Sequence, residues 1–157
     1  MSPYLWIKLV HIISATILFG TGLGIAFFML KAYLSGNQDT MVTTTQNVVL
    51  ADWIFTTPAV VIQVASGLWL TQKIGIPFNS VWFVSVISLF CLVGGCWIPV
   101  VRIQMRIRDI VASGRGGVDC RRLMLTWMVL GAVAFSGVLL LFFLMVSRVG
   151  IDQLIFS

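Results

Sequence analysis

The chain has 157 residues, of which 59% are apolar and only 10% charged, and its mean hydropathy is +1.05. That balance excludes an ordinary soluble domain and fits a single compact integral membrane domain spanning 1–157. The net charge of +5 then speaks to membrane topology, and no nucleic-acid partner is expected.

Four long intervals contain no Lys, Arg, Asp or Glu: Leu9 to Leu30, Trp53 to Gln72, Ile74 to Val101, and Leu123 to Ser147. Each can cross a hydrocarbon core of about 30 Å, which takes roughly 20 helical residues. The intervals lack the strict alternation of barrel strands, so the fold class is all-α, an integral membrane four-helix bundle. The helices are expected at about 4–34, 48–72, 80–112 and 119–148, with nothing outside the bilayer large enough to fold alone.

Helix one opens with Tyr4 and Trp6, an aromatic pair suited to the membrane interface, and stops at Ser35, Gly36 and Asn37. It reads as a mature helix and not a signal peptide, because no basic region precedes it, its apolar run is too long and no cleavage pattern ends it. His11, the single histidine, lies one turn past Lys8, about 5 Å deeper. An ionisable group at that depth is costly unless it faces the bundle with a partner, which makes it a functional candidate. Neutral imidazole is the usual axial ligand of haem iron. As a packing residue it would instead hydrogen-bond Ser14, a backbone carbonyl or interfacial water. Further along, Gly20-x-x-x-Gly24 and Gly22-x-x-x-Ala26 let another helix approach closely.

Thr43, Thr44, Thr45, Gln46 and Asn47 offer N-caps for helix two, which carries Pro58 and ends near Lys73 before a turn at Gly75, Pro77 and Asn79. Gln63, near the bilayer centre, suits an interhelical hydrogen bond of about 1 kcal/mol. Helix three starts at Ser80 and Val81. Its end places Arg102, Arg106 and Asp109 on one face and Ile103, Ile107 and Ile110 on the other, an amphipathic extension expected to lie at the headgroups. Gly94, Gly95 and Pro99 allow a close contact or a kink. Asp52 and Arg102 each border a charge-free run near one membrane face, and an ion pair between them is a stronger reading than a proton relay.

The segment Ser113 to Gly117 breaks the chain, and Asp119 is the expected N-cap of helix four. Met145 should match His11 in depth, which makes it a candidate second iron ligand, although methionine in such helices more often fills space. Arg102, Arg106, Arg108, Arg115, Arg121 and Arg122 outweigh Asp109 and Asp119, so this loop belongs in the cytoplasm and both termini outside, N-out/C-out. The arginines should meet anionic lipid headgroups. Cys91, Cys96 and Cys120 form neither a disulfide framework nor a metal-binding pair. With no glutamate, phosphate loop or zinc cluster, the chain carries no machinery for an ATPase, a carboxylate hydrolase or a zinc protease.

Tyr4-Leu5-Trp6-Ile7-Lys8-Leu9-Val10-His11-Ile12-Ile13, Phe19-Gly20-Thr21-Gly22, Val49-Leu50-Ala51-Asp52-Trp53-Ile54-Phe55-Thr56-Thr57-Pro58-Ala59, Ser66-Gly67-Leu68-Trp69-Leu70 and Cys96-Trp97-Ile98-Pro99-Val100-Val101-Arg102-Ile103-Gln104-Met105-Arg106 resemble a bacterial family of unknown function described only as predicted integral membrane proteins. That resemblance implies a multi-pass protein of the bacterial cytoplasmic membrane. Helix one is also similar, more distantly, to membrane protoporphyrinogen oxidases and copper-resistance membrane proteins, where a lysine likewise precedes a histidine by three residues. The likeness implies haem b at His11 with Lys8 as an accessory group. The aromatic, proline and arginine motif that follows in the oxidases is replaced here by Gly24-Ile25-Ala26-Phe27-Phe28-Met29-Leu30-Lys31. Three readings follow: a small haem b electron-transfer protein; a non-catalytic scaffold or accessory subunit that forms a homodimer or joins a larger membrane complex; and a small-solute transporter.

Overall fold

The computed structural model describes residues 2–114 and 118–147. It contains five α-helices: α1 Pro3–Ser35, α2 Gln38–Ala51, α3 Thr57–Lys73, α4 Val81–Ala112 and α5 Val118–Val146. A π-helical turn, Asp52–Thr56, joins α2 to α3 without a break, so four apolar rods are long enough to cross a membrane. Helix one starts with Pro3 in its first turn, where the missing N–H costs no bond, and ends at Gly36 in the left-handed region with φ 66°.

The second rod begins at Gln38, well before the expected residue 48. Asn37 is its cap, the side chain accepting the Thr40 N–H at 3.0 Å. Thr43 to Asn47 therefore lie inside α2, and the buried Thr45 turns its hydroxyl back onto the carbonyls of Met41 and Val42. The polar tract misleads because the threonines are helical side chains, whereas Asn37 follows the left-handed Gly36 and is positioned to cap.

Pro58 explains the π turn. It has no N–H to give the carbonyl four residues back and its ring crowds that carbonyl, so the preceding turn widens and the Thr57 N–H reaches Asp52 O. The Thr57 hydroxyl donates to the same carbonyl at 3.0 Å. The third rod is capped by Ser80, which accepts the Phe83 N–H. It runs through Pro99. Asp119 is the second residue of α5 and not the residue before it; its side chain and residue 148 lie outside the described residues.

The rods pair as α1 with α3 and α4 with α5, and α2 joins α1 to α4, while α3 barely meets α4. The tightest packing sits at the arginine-rich end. Met29 of α1, Met41 and Val48 of α2, Ile107 and Val111 of α4, and Met124 and Trp127 of α5 share one buried core there. The first three rods have 33, 36 and 32 residues, about 50 Å each at 1.5 Å per residue, and so exceed a hydrocarbon core of about 30 Å. The excess forms a helical extension of the bundle. Ile107 is fully buried and Ile103 and Ile110 pack beside it, so the apolar face of the α4 extension meets its neighbours and not the headgroups. The reason is α2, which runs alongside it far enough for Gln38 Nε2 to donate to Val111 O.

A glycine holds α4 and α5 close. A Cβ on Gly137 of α5 would stand 2.5 Å from Val93 Cγ2 of α4, whereas Gly20, Gly22 and Gly24 have nothing within 4 Å. Gly137→Ala is expected to lower stability in detergent by about 1–3 kcal/mol through overpacking, while Gly20→Ala leaves it unchanged or raised; thermal unfolding of the two variants checks this.

Candidate functional site

Two polar constellations lie in the spans. The first joins α1 to α3. His11 Nδ1 lies 2.8 Å from Ser66 Oγ, and His11 Nε2 lies 3.0 Å from Gln63 Nε2. The directions follow from the partners. The Ser66 hydroxyl donates to Ile62 O, so its oxygen accepts from Nδ1–H. The Gln63 amide nitrogen can only donate, so Nε2 accepts. Ser14 then donates to Gln63 Oε1, with His11 O at 2.9 Å as its other acceptor. Gly67 makes room for the ring, since a Cβ there would stand 3.2 Å from His11 Cε1. His11, Ser14, Gln63 and Ser66 form a closed network in which each polar side chain has a partner.

The second constellation is open. Asp52, 4% exposed, sits on the π turn, and the side chains of Thr56, Trp97 and Gln104 face its carboxyl. Asp52 Oδ2, Thr56 Oγ1, Trp97 Nε1 and Gln104 Oε1 are nevertheless buried without a hydrogen-bond partner, as is Trp127 Nε1 in the adjoining core. The expected ion pair with Arg102 does not form. Arg102 lies on the exposed face of α4, and the ion pair among the described residues is Arg108–Asp109 at 2.8 Å. Gln104, two residues on and 1% exposed, occupies the face that meets Asp52, because two residues rotate a helix by about 200°.

Lys8 is exposed and takes no part in the histidine network. Met145 is 40% exposed on α5, and the hydrogen-bond partners of the His11 ring come from α3. The residues present do not fit haem. Both imidazole nitrogens are engaged, Gln63 stands where iron would bind at Nε2, and the close approach of Gly67 confines the ring. The nearby groove, lined by Val10, Ser14, Ile17, Pro58 and Ala59 among others, holds about 180 Å³ and does not include His11; cofactor pockets run to about 300–1,000 Å³.

A family model for a predicted integral membrane protein, DUF2269, matches residues 5–149. The chain belongs to that family. No curated protein and no solved structure matches it, so the likeness to the oxidases rests on helix one alone.

Ser66, Gly67, Thr56, Trp97 and Gln104 were not singled out from sequence. A signal was present: Asp52, Thr56, Ala59, Gln63 and Ser66 follow helical spacing as a polar and small stripe in an apolar rod, and Gln104 interrupts the buried series Val100 and Ile107. In a double-mutant cycle of His11→Ala and Gln63→Ala, the expected coupling is about 0.6–1.7 kcal/mol, read from unfolding in detergent. Additive effects would separate the two residues.

Proposed function

We propose that the protein is a non-catalytic membrane subunit that self-associates through its first helix. The supporting observation is how α1 is used. His11 and Ser14 are consumed in clamping α3, while Gly20, Gly22 and Gly24 remain open, with nothing within 4 Å of where a Cβ would stand. Glycines that serve the chain's own packing, Gly67 and Gly137, are close to a neighbour; those on α1 are available to a helix from outside. A Gly-x-x-x-Gly ridge is self-complementary, so a second copy of the same helix can meet it with backbones in close contact.

The haem b and electron-transfer reading is set aside on the geometry of His11. In the proposed arrangement the arginine-rich end faces the cytoplasm of a bacterium, with Arg102, Arg106, Arg121 and Arg122 exposed near anionic headgroups and both termini outside.

Cross-linking and light scattering of the purified protein in nanodiscs test the proposal. Wild type and His11→Ala are expected to be dimeric, the latter with a lower unfolding temperature. Gly20→Ile with Gly24→Ile is expected to be monomeric and equally stable. A wild type that stays monomeric at every protein-to-lipid ratio, or a dimer that survives the glycine substitutions, overturns it.

A further inference from the structure

The carboxyl of a residue only 4% exposed requires a partner of positive charge or a set of hydrogen bonds. Among the described residues Asp52 has no ion-pair partner. Arg102 is exposed, Arg106 likewise, and Arg108 pairs with Asp109. The titratable groups in the buried core at this end of the bundle are Cys120 of α5 and Tyr33 of α1, neither of which carries positive charge. What faces Asp52 is a set of neutral groups: the Thr56 hydroxyl, the Trp97 indole and the Gln104 amide.

Their unmet valences have a pattern. Asp52 Oδ2 and Gln104 Oε1 are acceptors without a donor, Trp97 Nε1 is a donor without an acceptor, and Thr56 Oγ1 can be either. A bare metal ion would satisfy the oxygens but would face the positive edge of an indole N–H, and one carboxylate with two neutral oxygens falls short of the six or more ligands that hard divalent cations collect. A water molecule matches the whole set. It donates to Asp52 Oδ2 and Gln104 Oε1 and accepts from Trp97 Nε1–H, the roughly three bonds typical of buried water. The π turn adds a second reason to regard the position as a site, since such turns recur at functional positions in helices.

We propose that Asp52, with Thr56, Trp97 and Gln104, is a buried proton-exchange site at the arginine-rich end of the bundle that holds an ordered water. The exchange is a concerted swap within the acid–water pair: a water O–H proton passes to Asp52 Oδ2 as the acid proton on Oδ1 passes to the water, so one O–H bond forms for each that breaks and no charge is left beside the Trp97 N–H. No redox partner is needed. The site is independent of the association of two chains through α1, because it is built from the second and third rods.

Infrared difference spectroscopy of the full chain in lipid nanodiscs, between acid and alkaline pH and in H2O against D2O, tests the site directly. The chain has no glutamate and five aspartates, and Asp52 is the one aspartate buried among the described residues. A carboxyl C=O band with the high frequency of a buried acid is expected in wild type, sensitive to deuterium and equivalent to one proton per chain. Asp52→Asn should abolish it. Trp97→Phe, which removes the indole N–H together with the five-membered ring that carries it, should shift it without abolishing it. A wild-type spectrum lacking the band, a band unaffected by Asp52→Asn, or a band that responds to replacing Na⁺ with choline at constant pH each overturns the proposal, the last in favour of a metal cation.

Discussion

An imidazole inside a bilayer cannot borrow hydrogen bonds from water, and the way His11 meets that constraint sets the arrangement of the first two rods. Its ring needs one acceptor for Nδ1–H and one donor for Nε2. Ser66 and Gln63 on α3 supply them at 2.8 and 3.0 Å, and Gly67 removes the side chain that would otherwise keep the helices apart. Three positions within five residues of α3 therefore fix the register and rotation of α1 against it. The α4–α5 pair is held differently, by Val93 seated against Gly137 and by the Trp82 indole donating to Leu144 O at 2.9 Å. The two pairs then join through the core at the arginine-rich end, with Phe19 stacked against Phe135 farther along.

Pro58 governs the rest of the second rod. The extra residue accommodated by the π turn rotates what precedes it by about 100° relative to a regular helix. Without that rotation Asp52, Thr56, Gln63 and Ser66 would follow one stripe. With it, Gln63 and Ser66 face α1 while Asp52 and Thr56 face Trp97 and Gln104 of α4. The same rod thus carries a satisfied network toward one neighbour and an unsatisfied one toward another. In a medium where each unmet hydrogen bond is expensive, the satisfied network reads as structure and the unsatisfied one as a place where something binds or exchanges.

The four spans were legible because their signal is an absence of charge over about 20 residues, which lipid enforces and local context does not alter. The start of α2 was not, because threonine and asparagine serve both as caps and as ordinary helical residues, and only the left-handed Gly36 before Asn37 decides between them. His11 stood out as the single intramembrane histidine, but which use it serves depends on where its two nitrogens point, and that requires α3 beside it. The Asp52–Arg102 pairing failed for a similar reason. Hydropathy gives depth and says nothing about rotation, so two groups at one depth can face opposite ways. Gln104 shows what pattern alone could have revealed, a polar side chain at a buried spacing.

Because the chain has one histidine, the clamp can be read from a single residue. Nitrogen NMR of protein labelled with ¹⁵N-histidine, in lipid at neutral pH, reports which ring nitrogen carries the proton and whether each is hydrogen-bonded. The expected spectrum has a protonated Nδ1 and an unprotonated Nε2, both shifted by hydrogen bonds, with the Nε2 signal moving in Gln63→Ala. A protonated Nε2, or an imidazole nitrogen shifted or broadened by bound iron, would contradict the clamp and return His11 to the role of a ligand.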